Sequence, residues 1–489
     1  MRVLLLNPPF KTEHGKYSRD QRSPAITKSG TLYYPVWLAY ATGVLERAGY
    51  AAKLLDACAD LIPLEQTVAI VADYAPDVVV LNTSTPSIHN DVRVAEEIKR
   101  RLPQSFIVCV GTHPSALPAE TLALSAAINA VARREYDYTI LDLVRTLEQQ
   151  LALAGVLGIT YRDSITGELI SNPDRPLIEN LDELPFAAEV YKKHLTVGHY
   201  FFAAAEYPMV MIFTGRGCPN RCFFCVYPQV FHGREQYRLR SPENVVAEFE
   251  YIIENFPSVK AIGIEDDTFT ADLVRAREIC ELLIHKQINK KISWWVNARV
   301  TLDLATMQLM KKAGCNLLIA GFESGSQSVL TRMNKGVTVE QSVQYAKNAR
   351  EAGLKVHGCF MVGNPGETKE SMQETLALAL RLNTDTAQFF PLMVYPGTEA
   401  FDWAQQNNLL QTEDYSQWVT EQGLHNCVIA LPAISSQELV AFCDVARRRY
   451  YLRVSYIVSK LVQAVRSKYE RKRIFKSARR FVGFLIKRG

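Results

Sequence analysis

Cys218, Cys222 and Cys225 lie in the stretch GRGCPNRCFFCVYP, spaced C-x3-C-x2-C directly after the strand-like run PMVMIFT. A structural zinc site normally closes four ligands given as two pairs, and no second C-x2-C pair exists in the chain. Iron–sulfur clusters are held by thiolates at such tight spacings. Three thiolates on a cluster of four irons would leave one iron open to a small molecule. The remaining cysteines are scattered, and Cys109, Cys280, Cys315 and Cys359 read as core residues.

A loop of this kind needs a rigid scaffold. With 489 residues the chain exceeds one ordinary core, so two or three domains are expected. An apolar fraction of 48% and a charged fraction of 22% are those of a soluble globular protein. The apolar run in MRVLLLNPP is too short for a secretory signal, and no apolar stretch is long enough to span a bilayer. The expected location is therefore the cytoplasm, where thiols stay reduced.

Residues 1–150 alternate strand and helix signals: RVLLLNPP, then YYPVWLAYATGVLERAG, then AAKLLDA, and so on through PDVVVLNTS and SFIVCVGTHPS. Apolar, β-branched strands separated by helices predict a doubly wound parallel sheet with its ligand beyond the strand C-termini. The loops there carry Asn7-Pro8-Pro9, Asp56, Asn82 to Thr85, and Gly111 to Pro114. No G-x-G-x-x-G follows the first strand, which disfavours a dinucleotide. Residues 151–205 read as a connector with a small hairpin. From 206 to 405 six further strand–helix units predict a partial (β/α)6 barrel with function on the loops at the strand C-termini. The cysteine trio occupies the first of those loops. Residues 406–489 read as a helical basic tail.

CPNRCFFC, with Phe224 before the last cysteine, resembles the signature of the radical S-adenosylmethionine (SAM) superfamily. The resemblance implies a 4Fe–4S cluster on Cys218, Cys222 and Cys225. SAM would chelate the open iron, and its cleavage would give a 5′-deoxyadenosyl radical that abstracts hydrogen from a substrate. An electron donor such as flavodoxin or ferredoxin follows. Later strand ends match the same superfamily. GIEDDTF offers Glu265, Asp266 and Asp267 for the SAM amino group. Arg299 in NARV would pair bidentately with the SAM carboxylate. Glu323 and Ser324 in GFESGSQSVLTRMNKG would meet the ribose, and Gly363 and Pro365 in GCFMVGNPGET would let a nucleoside approach the backbone.

Residues 1 to 400 together resemble the cobalamin-binding radical SAM class, through NPP, YYPVWLAYATGVLERAGY, GTHPSALP and LDELPF. No D-x-H-x-x-G supplies an axial histidine, so the resemblance assigns cobalamin to main-chain and hydroxyl contacts from Thr83, Ser84 and Thr85. The usual GEGE-like turn reads RREYD here, Arg133 to Asp137. His113 and His89 read as ordinary hydrogen-bonding residues.

From Arg447 onward about fifteen Lys and Arg face the single acid Glu470, so the rest of the chain is net acidic. Tyr450, Val454, Ile457, Val458, Leu461 and Val465 recur at helical spacing, as do Ile474, Phe481, Phe484 and Leu485. A basic amphipathic helix of this kind suits peripheral contact with the anionic inner face of a membrane. RDQRSPAITKSGTLYYPVWLAY with RRRYYLR also resembles members tied to hopanoid and archaeal lipid maturation. The expected substrate is apolar or lipid-like, and the expected reaction is C-methylation or a radical rearrangement, cyclisation or ring contraction. The competing reading is a non-catalytic iron–sulfur or zinc module that binds nucleic acid through its basic tail; the acidic and basic strand-end residues favour the enzyme, with no nucleic acid expected.

Overall fold

The computed structural model describes residues 1–234 and 236–466. In the first unit β1 (Arg2–Asn7), β2 (Ala51–Asp56), β3 (Val78–Asn82), β4 (Phe106–Val110) and β5 (Ala130–Ala132) form a parallel sheet in the order β2-β1-β3-β4-β5. Such a sheet reverses direction between β1 and β3, and a crevice opens there beyond the strand ends. β3 is buried at every position, as its unbroken VVVLN run requires. Helices Leu64–Tyr74 and Ile88–Arg101 cover one face, packing on Leu4, Leu6, Val79 and Leu81. Helix Val36–Arg47 covers the other. It is apolar all round and buried from Val36 to Leu45, because the second unit packs on its far side. Tyr34 donates to the Met209 carbonyl at 2.7 Å and Tyr40 to the Phe213 carbonyl at 3.2 Å, so the two units share one core.

The small hairpin of the connector, β6 (Ile159–Arg162) and β7 (Leu169–Ser171), is not a free linker. It adds two antiparallel strands to the edge at β5, so the first sheet runs past residue 150.

The second unit is an open barrel of six parallel strands in chain order: β8 (Met209–Ile212), β9 (Ala261–Ile264), β10 (Ser293–Ala298), β11 (Cys315–Glu323), β12 (Lys355–Val362) and β13 (Thr386–Pro391). Phe322, Phe360 and Phe389 stack on the outer face beneath the helices. Alternation then turns Gly321, Cys359 and Gln388, which share one register row, toward the lumen. Phe202 of the connector reaches the same lumen and packs on Trp295 and His357.

Helix Ser436–Tyr451 lies along the edge strand β13 and runs against it. Its start, fixed by a Ser435–Glu438 capping box, brings Leu439 to Gly363 at the strand C-terminal end. Its end is tied by Tyr451, which donates to the Ala387 carbonyl at 2.7 Å. Helix Val454–Arg466 follows. The apolar set at Ile474, Phe481, Phe484 and Leu485 lies outside the described residues.

Candidate active site

The loop after β8 is pinned from several sides. Asp266 accepts from the Thr214 amide at 2.6 Å and from its hydroxyl at 2.5 Å, which fixes where the loop leaves the strand. A short antiparallel ribbon, Gly215–Gly217 with Tyr237–Leu239, follows. Gly217 has φ 88°, and a Cβ there would fall 2.0 Å from the Gln236 carbonyl oxygen, so only glycine fits.

Beyond it the cysteine segment is held by Gln229. Its amide donates to the carbonyls of Phe223 at 3.0 Å and Cys225 at 2.9 Å, and its oxygen accepts from the Glu399 amide at 3.0 Å. The Phe223 amide donates to the Met333 carbonyl at 3.2 Å. Asn220 donates to the Cys218 sulfur at 3.2 Å. A hydrogen bond from the Cys225 thiol pulls the Cys222 sulfur toward the thiolate, helped by Lys335 and Arg299, while the same bond raises Cys225. Among the described residues no three His, Cys, Asp or Glu side chains converge on a point that one metal ion would fill. Thiolates at the corners of a larger cluster do not need to.

Lys335 is the cation that acts most strongly on Cys222. Its Nζ is 2.7 Å from Glu323 Oε1 and 5.9 Å from the centre of the Phe224 ring. Burial would lower a lone ammonium, but Glu323 and the Cys222 sulfur outweigh it and raise Lys335. Glu323 stands at a β-bulge with φ 61°, a left-handed backbone uncommon for a glutamate, and the bulge aims its carboxylate into the barrel. Arg299 does not extend into the lumen as a free fork. It donates to the carbonyls of Lys335 at 2.7 Å and Gly336 at 3.3 Å, and so shapes the turn that carries Lys335.

The three acids after β9 divide. Asp266 is structural, as described. Glu265 is paired through one oxygen with Arg22 of the first unit and leaves Oε2 buried without a partner. Asp267 is partly exposed, 3.5 Å from His232 Nε2 and 4.0 Å from Arg22. Ser324 is buried 3.2 Å from the Thr375 hydroxyl and accepts from the Ser326 amide at 3.1 Å, so it braces the turn and faces no open space. Gly363 gives room to Leu439, 3.2 Å from the place a Cβ would take, and the C-terminal helix thus covers the Gly363–Pro365 turn where a nucleoside was expected to approach.

The crevice of the first unit meets this site. Arg19 is buried over the β1–β3 switch point, bound to Asp91 at 2.7 Å and donating to the Pro8 carbonyl at 3.0 Å. Thr83 donates to the Val110 carbonyl at 3.1 Å, and Ser84 is bound to Tyr17 and Ser87 at 3.0 and 2.8 Å. Thr85 is buried at the start of a short 3-10 turn. The hydroxyls of Thr83 and Ser84, expected to hold a cofactor, are therefore spent inside the protein. The unpaired atoms lie elsewhere. Asp20 accepts from Asn82 at 2.8 Å but leaves Oδ2 free, and burial pushes its carboxyl up to about 7. Trp37 Nε1 and both ring nitrogens of His113 are also buried without partners, and burial holds His113 down at about 3, hence neutral. His89 is half exposed near Asp414. Asp20, Trp37, Arg216, Glu265 and Asp267 border a narrow cleft between the units.

RREYD turns out to be the joint between the units. Asp137 takes the Arg216 guanidinium at 2.8 and 3.1 Å, and Glu135 takes Arg216 at 3.2 Å and His232 at 2.6 Å. Glu135, His232 and Asp267 thus run from the first unit to the edge of the cleft. Arg22, Gln229, Lys335 and the Glu135–Arg216 pair were not singled out from sequence. The one signal for Lys335 was its place in the NKG that ends the strand-end motif.

Comparisons with known proteins agree with this architecture. Residues 212–379 match the model of the radical SAM superfamily, and residues 22–144 match the B12 binding domain. The chain is 31% identical over 465 residues, 95% of each protein, to an uncharacterized methyltransferase of Pyrococcus horikoshii. It is 26% identical to the anaerobic magnesium-protoporphyrin IX monomethyl ester cyclase of Rubrivivax gelatinosus, over 82% of this chain and 69% of that one. In fold it is similar to the radical SAM methyltransferase TsrM of Kitasatospora setae, solved with cobalamin and a [4Fe-4S] cluster, at TM-score 0.68 and 17% identity over 91% of this chain and 89% of that one. The chain belongs to the radical SAM superfamily, among the members that carry an amino-terminal B12-binding domain.

Proposed function

We propose that this radical SAM enzyme removes hydrogen from an unactivated carbon of an apolar or lipid-like substrate, and that C-methylation or a radical rearrangement, cyclisation or ring contraction follows. Its cofactors are a 4Fe–4S cluster, SAM and cobalamin. When bound, the cluster and SAM supply a 5′-deoxyadenosyl radical, and cobalamin supplies a transferable methyl group. Such an enzyme also needs a one-electron reductant, for which a flavodoxin or ferredoxin suits.

The chain's own residues fit these groups. Cys218, Cys222 and Cys225 give three thiolates on a loop clamped by Gln229. The free Oε2 of Glu265 suits an ammonium, and Lys335 with Glu323 suits a carboxylate and hydroxyls beside the open iron. Asp20, Trp37 and His113 offer unpaired polar atoms for the amide side chains of a corrin, in place of the Thr83 and Ser84 hydroxyls and beside main-chain groups of Thr83 to Thr85.

The observation that carries the reading is the facing of two edges. Gly215, Arg216 and Tyr227, which flank the cysteine segment, line one cleft with Glu265 and with Asp20 of the crevice. A lipid-like substrate is supported by the last helix. Val454, Ile457, Leu461 and Val465 are 77%, 43%, 60% and 85% exposed, while Tyr456 and Lys460 face Asp385 of the barrel. An aliphatic stripe turned to solvent and followed by a basic segment suits an anionic bilayer surface. Tyr450, first grouped with that stripe, is buried against Thr384 instead. Among the described residues no helix is long and apolar enough to cross a membrane. Membership of an enzyme superfamily sets aside the reading as a non-catalytic module.

The test is anaerobic reconstitution with iron, sulfide and hydroxocobalamin, followed by SAM, dithionite and an extracted lipid fraction. S-adenosylhomocysteine formed together with deoxyadenosine supports methylation, and deoxyadenosine alone with a changed lipid mass supports rearrangement. No lipid-dependent change in either product would refute the substrate class.

A further inference from the structure

Cys359, read from sequence as a core residue, stands in the barrel lumen. It is the register neighbour of Gly321 on β11, one strand spacing away, about 4.8 Å. A Cβ at Gly321 would lie 2.1 Å from Glu323 Oε1 and 2.8 Å from Lys335 Nζ, so Cys359 sits beside the floor of that pair. The charged groups that act on it, in order, are Glu323, Lys335, Arg22 and Glu265: the groups that surround the cysteine loop. Glu265 contributes an independent sign that a ligand belongs here, since it is 6% exposed and its Oε2 is unpaired within the same lumen.

We propose that Cys359 is the hydrogen-atom donor that ends radical turnover in this barrel when no methyl group is transferred. The proposal rests on the radical SAM reading above and deepens it, because a rearrangement or cyclisation finishes on a carbon radical that needs a hydrogen. The radical takes the hydrogen of the thiol: a C–H bond forms, the S–H bond breaks, and a thiyl radical is left on Cys359. One electron from the low-potential reductant that serves the cluster and one proton from solvent restore the thiol. The step runs downhill, since an S–H bond is weaker than an alkyl C–H bond. It requires that the sulfur keep its hydrogen. Burial, with Glu323 close by, pushes the Cys359 thiol up to about 12, whereas Cys222 is drawn toward the thiolate that iron needs. One barrel thus holds cysteines of both kinds.

The test needs no substrate, because the deoxyadenosyl carbon radical can itself take the hydrogen. Reconstituted protein is given SAM and dithionite in D2O, and the 5′-deoxyadenosine is weighed by mass spectrometry. Thiol hydrogens exchange with solvent and carbon-bound hydrogens do not. The wild type is expected to give mostly singly deuterated deoxyadenosine, and Cys359→Ala and Cys359→Ser mostly unlabelled product. Tyr33, whose phenol is also exchangeable and lies near Cys359 and Glu265, is controlled by Tyr33→Phe, which is expected to keep the label. In unreduced protein, SAM is expected to slow alkylation of Cys359 severalfold, read by peptide mass. Equal label in wild type and both Cys359 variants, no label in the wild type, or no protection by SAM would overturn the proposal. Deoxyadenosine missing from every protein would instead overturn the radical reading beneath it.

Discussion

Lys335 Nζ lies 2.7 Å from Glu323 Oε1, with both side chains nearly buried and the Phe224 ring of the cysteine loop alongside. Removing one partner leaves the other as an uncompensated buried charge, which costs about 3–5 kcal/mol. Lys335→Met is therefore expected to lower thermal stability and to weaken SAM binding at least tenfold in equilibrium dialysis. The double variant Lys335→Met/Glu323→Gln is expected to regain most of the stability and none of the SAM affinity. Recovery of both would reduce the pair to a structural ion pair.

Gln229 spans the cysteine loop and the start of helix Glu399–Gln406. Each of its hydrogen bonds contributes about 1 kcal/mol. Gln229→Leu should fold, yet lose iron to a chelator roughly tenfold faster, a factor that about 1.4 kcal/mol supplies. Iron release followed by absorbance checks this.

Arg216 joins Glu135 and Asp137 across the two units with 2% of its side chain exposed. Arg216→Ala leaves the buried Asp137 without its cation, while Glu135 keeps Arg238 and His232, so about 3–5 kcal/mol of stability should be lost. The connector near residues 195–208 should then be cut by protease well below the global melting temperature. An uncut connector would place the joint elsewhere.

Asp20 titrates near 7 in the folded protein and near 4 when unfolded. Between those values the folded state binds the extra proton, so stability falls as pH rises from about 4 to 7. Asp20→Asn can still accept from Asn82 but has no proton to lose. Relative to the wild type, this variant should gain stability across that window and stay level above it, by at most about 4 kcal/mol. Urea unfolding of cofactor-free protein at pH 5 and pH 8 measures the difference.

Much of the scaffold was legible because chemistry and pattern coincide. VVVLN can only be a strand covered on both faces, and a C-x3-C-x2-C run fixes its loop whatever lies around it. The bulge that turns Glu323 inward leaves no mark beyond the GFES motif itself. What escaped depends on distance in the chain. Arg22 meets Glu265 and Arg216 meets Asp137 only because helix Val36–Arg47 is shared by both cores, and no periodicity reports that. The carboxylates of RREYD were present in the sequence, but their partner stood 79 positions away. Thr83 and Ser84 misled because a hydroxyl at a strand end looks free until Val110 and Tyr17 are brought to it. Cys359 looked like core because alternation alone does not say which face of β12 is the lumen.

Cys218, Cys222 and Cys225 are what would make this chain a SAM-cleaving radical enzyme. The most direct measurement is 5′-deoxyadenosine formed from SAM and dithionite by anaerobically reconstituted wild type and Cys222→Ala. Steady formation by the wild type and none above background by the variant is the expected result. A wild type that binds its iron and never cleaves SAM, or a variant that cleaves it equally well, would contradict it.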